Sequence, residues 1–64
     1  MAGQAHEALV LLKRCFTLSE AYNNMGAIYQ MQNQPQRAAG MYRKALDIDP
    51  ELDAARRNLA IAEE

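Results

Sequence analysis

Four polar side chains in this sequence have types and spacing suited to gripping a main chain: Asn23, Asn24, Arg57 and Asn58. Asn24 and Asn58 stand 34 positions apart, as do Asn23 and Arg57. An asparagine amide both donates and accepts, so a pair of them can bind the backbone of an extended peptide without demanding a particular side chain. Catalytic chemistry has less to work with. His6 and Cys15 are nine positions apart, which on a helix is about 180° around the axis and about 13 Å along it, so they form no dyad. Asp47, Asp49, Glu51 and Asp53 number enough for a metal site, but they straddle Pro50 and lack the glycine and terminal glutamate of a calcium loop. They read as solvated helix ends, with Asp53 as the N-cap of a last helix. No glycine-rich phosphate loop is present. The sequence predicts no catalytic residue, no metal site and no cofactor, and therefore not an enzyme.

The elements that must carry these residues are helices. Tyr22, Met25, Gly26 and Tyr29 recur at three- and four-residue spacing on one face, which defines a helix A. Gly26 lets a second helix approach closely, with Ala38 as its small partner and Tyr29 and Tyr42 filling the adjacent gaps. Gln32, Asn33 and Gln34 break helix A, and Pro35 suits the first turn of a helix B running to about Asp47. Asp49-Pro50 then ends helix B, because the residue before proline is driven out of helical geometry.

Tyr22, Met25, Gly26, Tyr29, Ala38, Tyr42, Ala45 and Pro50, within residues 19–52, together resemble a tetratricopeptide repeat. The resemblance implies an all-α fold of antiparallel helical hairpins, with A helices lining a concave groove. Asn24, Asn58, Asn23 and Arg57 would then be its peptide-binding residues, Arg57 favouring a carboxylate. Ala27 and Ala54 stand where chaperone-tail clamps of the family carry polar or charged groups, so that specificity is not expected. Tyr22 and Tyr29 are expected in the core, and so is Cys15, where the family wants a small residue.

The chain is expected to be one domain, 1–64, with partial units on both sides of the repeat. Residues 3–18 correspond to helix B of a preceding unit, with Ala8, Leu12 and Cys15 standing for Ala38, Tyr42 and Ala45. Residues 53–64 correspond to helix A of a following unit, with Arg56 in place of the family's aromatic. The first junction is short: KRCFTL aligns with RKALDI, and nothing then matches Asp49-Pro50-Glu51-Leu52 before Ser19. The loss of about four residues is close to one helical turn, so the first two helices can fuse into one rod of about 40 Å, from about residue 4 to 32. The alternative is a tight turn in which Thr17-Leu18-Ser19-Glu20 forms a capping box. Without a glycine, that turn crowds Phe16 and Leu18.

At 64 residues the chain holds about two units, whereas helical repeats need about three to bury a continuous core. Half of its residues are hydrophobic, but alanine dominates and tryptophan is absent. Leu9, Val10, Leu11, Leu12 and Phe16 exceed what one helix face needs. A homodimer formed by exchange of helical hairpins would use that surplus, and so would a longer array from which this is a piece. Seven basic residues against eight acidic ones provide no footprint for nucleic acid. No apolar run suits a membrane span or signal peptide. The single cysteine fits a reducing, cytoplasmic setting. Two functions follow: a scaffold module that binds a protein or peptide partner in its groove, or a self-association element.

Overall fold

A computed structural model describes the backbone of residues 2–64 and the side chains of residues 13–64. Three helices follow one another: α1 over Ala2–Met31, α2 over Pro35–Ile48 and α3 over Asp53–Ala62. All secondary structure among the described residues is helical. The two helices expected on either side of Phe16–Ser19 are one, 30 residues long, and its length sets the 49 Å extent of the molecule. The capping-box alternative does not form. Thr17 Oγ1 donates to the Lys13 carbonyl at 2.8 Å and Ser19 Oγ to the Phe16 carbonyl at 2.9 Å. Both hydroxyls thus bond backward, onto carbonyls of the preceding turn, rather than forward onto open amides.

α1 ends in a Schellman motif. Asn33 takes a left-handed conformation at φ 61°, Asn33 N–H donates to Gln30 O at 3.0 Å, and Gln34 N–H donates to Tyr29 O at 2.9 Å. Asparagine is among the few residues other than glycine that adopt this conformation readily. Gln34 is the N-cap of α2, and Pro35 occupies its first turn. At the far end Asp49 turns extended, its N–H donating to Ala45 O at 2.9 Å and its Oδ1 accepting from Glu51 N–H at 3.1 Å. The N-cap of α3 is Leu52, not Asp53, which lies one residue inside, in the first turn, where its charge favours the helix N-terminus. Arg56, at the family's aromatic position, donates from Nη2 to Pro50 O at 2.6 Å and so ties α3 to the turn before it.

α2 packs against both α1 and α3, whereas α1 and α3 scarcely touch. The core is made of small side chains and one large one: Ala38, Ala39, Ala45, Ala55 and Ser19 are buried together with Tyr42, which is fully buried. Gly26 faces the Tyr42 ring, nearer to it than to Ala38: a Cβ built at Gly26 would come within 2.8 Å of Cε1, Cδ1 and Cζ. Tyr22 and Tyr29, expected in the core, are half-buried at its edge, and Lys44 Nζ lies 5.7 Å from the Tyr22 ring centre. Cys15 is exposed, contrary to expectation, because α1 carries it beyond the reach of α2. The readings of His6, Ala8, Leu12 and the Leu9–Leu11 run concern side chains outside the described residues.

Gly40 has open space where a Cβ would go, with no neighbour within 4 Å. It lies inside α2 at a negative φ, so it carries only the entropic cost of glycine in a helix. Gly40→Ala is expected to stabilise the fold by about 0.5–1 kcal/mol, read as a higher urea midpoint at unchanged slope.

Candidate functional site

Asn23 and Asn24 on α1 precede Arg57 and Asn58 on α3 by 34 residues, and the two helices bring two of the four candidate residues together. Asn58 Nδ2 donates to Asn23 Oδ1 at 3.1 Å in a half-buried contact that bridges the two helices. The partners come from different repeat positions, since Asn58 is the counterpart of Asn24 and Asn23 that of Arg57. Asn24 and Arg57 themselves are exposed and flank the bridge. The amide donor of Asn23 and the carbonyl of Asn58 are not used in this bond. The surface therefore combines one fixed amide pair with two solvent-facing polar side chains.

A second surface runs along the other side of α1. Leu18, Ala21, Met25 and Ile28 are all exposed, the three large ones by 52, 43 and 48 % respectively. They lie about 150° around the helix from Ser19, Asn23, Gly26 and Gln30, which face the core. One repeat later the same positions are Leu52, Ala55, Leu59 and Ala62 of α3. There Ala55 is fully buried and the other three are half-buried, on the helix that packs against α2. Equivalent residues are thus covered on α3 and bare on α1. Their 34-residue offset was present in the sequence, but the bare face becomes evident only once α1 is known to be continuous. A shallow cleft of about 270 Å³ borders the stripe, lined by Met25, Ile28, Tyr29 and Gln32.

Among the described residues no three of His, Cys, Asp and Glu converge as a metal site would require, and no helix is long and apolar enough to cross a membrane. Asp49 is engaged in the α2–α3 turn, and Asp53 pairs at 3.9 Å with Arg56. Arg43 forms an ion pair with Glu63 across α2 and α3. The Tyr42 phenol is held above its ordinary value of 10.0 by burial, which disfavours the phenolate. Its hydroxyl donates to Gln30 Oε1 of α1.

The comparison with known families agrees with this architecture. The family model of the tetratricopeptide repeat matches residues 19–52, more than half of the 64-residue chain. No match is found among curated proteins or solved structures. The matched unit begins at Ser19, in the middle of α1, so the helix continues N-terminally beyond the start of the repeat. Repeats of this kind are non-enzymatic scaffolds for protein–protein interaction. On the match and the three-helix architecture together, the chain belongs to the tetratricopeptide repeat family.

Proposed function

We propose that the protein is a self-association element, in which two copies join by exchanging helical segments. The observation that carries this reading is the unbroken course of α1 through Phe16–Ser19. In a repeat array a helix B precedes each helix A and packs back against it. Here residues 3–18, read as that helix B, run in line with the helix they would cover. A rod cannot fold back on itself, so the covering helix comes from a second copy. Inserting four residues containing Asp-Pro after Leu18 restores the missing turn, and the inserted variant is expected to run as a monomer. A variant that remains dimeric would contradict exchange as the mechanism.

The second reading is a peptide-binding module. It is favoured by the exposure of Asn24 and Arg57 beside the Asn23–Asn58 bridge on consecutive A helices. Under that reading an extended peptide lies across the bridge, bonded to the unused amide groups, with Arg57 meeting a carboxylate. A chain that stays monomeric, and whose Asn23, Asn24 and Asn58 amide resonances shift on titration with an acidic peptide, would favour it over assembly.

A further inference from the structure

We infer that the second copy seats on the Leu18–Ala21–Met25–Ile28 stripe of α1, antiparallel to it, with the two-fold axis level with Ser19 and Glu20. The inference rests on the self-association reading and adds to it a surface and a register. Its first support is the contrast within the chain. The stripe's counterparts on α3, Leu52, Ala55, Leu59 and Ala62, lie on the face that α2 covers, so the repeat reserves this face for a helix packed alongside. On α1 the same face is bare: Leu18, Met25 and Ile28 are about half exposed. A soluble helix does not ordinarily leave a continuous apolar row uncovered.

The second support is that the stripe is self-complementary. Its spacing alternates three and four residues, the pattern of helices paired side by side. The sequence carries the same alternation N-terminally through Arg14 to Leu11. In an antiparallel pair about a two-fold axis, two residues meet when their numbers have a constant sum. One value of that sum pairs Leu18 with the partner subunit's Ala21 and Arg14 with the partner subunit's Met25. Ala21 is the small residue at the central layers, which allows close approach. Arg14 is exposed in the single chain and can lay its aliphatic stem along a methionine while its guanidinium reaches solvent. The stripe also lies away from the face that packs on α2, so pairing leaves the hairpin intact.

The test uses paired cysteines in the full chain with Cys15→Ser as background. Arg14→Cys combined with Met25→Cys is expected to give a covalent dimer as the main species under oxidised glutathione. Leu18→Cys with Ala21→Cys should do the same, which covers the case in which the first pair disturbs folding. The single substitutions at Arg14 and Met25 should stay uncrosslinked, since the axis keeps each of these positions about 16 Å from its own copy along the helix. Lys13→Cys with Asn24→Cys, at a similar level but about a quarter turn around the helix, should also stay uncrosslinked. Light scattering on the same proteins before oxidation separates the two ideas. A dimeric mass with neither pair crosslinking, or with singles crosslinking, overturns the stripe and register while leaving self-association standing. A monomeric mass overturns both.

Discussion

Gly26→Ala is expected to destabilise the fold by about 2 kcal/mol. The added methyl would fall within 2.8 Å of three atoms of the Tyr42 ring, well inside contact distance. The ring cannot move aside, because it is fully buried and its hydroxyl is bonded to Gln30 of the facing helix. The strain therefore passes to the α1–α2 spacing. Overpacking of this kind costs about 1–3 kcal/mol and occasionally more, against about 1 kcal/mol gained from replacing a helical glycine. With the ring held in place the upper end applies, and the net loss of about 2 kcal/mol is a large share of the about 3–5 kcal/mol that a core of this size supplies. Urea denaturation followed by far-UV circular dichroism should show the midpoint falling steeply. An unchanged midpoint in the otherwise native chain would mean that the two helices are not in contact at Gly26.

Tyr42→Ala should be at least as damaging. Tyr42 is the one large side chain fully buried among the described residues, and the rest of the core is alanine and serine, which cannot collapse into the space it would vacate. Loss of a buried aromatic costs about 3–5 kcal/mol, enough to abolish cooperative unfolding. Tyr42→Phe keeps the ring and removes only the hydroxyl bond to Gln30, and should cost about 1 kcal/mol. The two variants together separate packing from hydrogen bonding. Burial also links this residue to pH. Its phenol lies above 10.0 in the folded state, so the folded chain holds the proton longer than the unfolded chain does. The resulting stability is complete below pH 10 and is lost as pH rises through the folded-state value. Tyr42→Phe should blunt the alkaline fall in melting temperature; an identical fall in both proteins would remove Tyr42 as its cause.

Much of the hairpin was legible because its determinants are local and steric. Gly26, Pro35 and Asp49-Pro50 act through backbone conformation, which neighbouring residues set. The Phe16–Ser19 junction was legible only as a choice between two structures. A threonine hydroxyl can cap a helix start or bond the carbonyl four residues back, and the sequence around Thr17 suits both. In the structure it takes the second course, which carries Cys15 out of the core position that its repeat register implied. The asparagines illustrate a different limit. A repeat offset identifies equivalent positions, not contacts, so Asn24 and Asn58 correspond while Asn23 and Asn58 touch. Helix ends diverged by one residue at α3, where Leu52 caps in place of Asp53, because the Asp49-Pro50 turn already extends through Leu52. The apolar stripe depended on long-range geometry throughout. Whether Leu18, Met25 and Ile28 are core or surface depends on where residues 2–18 go.

Whether the fused α1 makes two copies complete each other is read from absolute mass by light scattering behind a sizing column, with the native chain loaded from low to high micromolar concentration. The expected result is a persistent dimer, twice the 7.2 kDa of the chain, that reverts to one chain when the four-residue turn is inserted after Leu18. A mass of 7.2 kDa at every concentration, in both proteins, would contradict it.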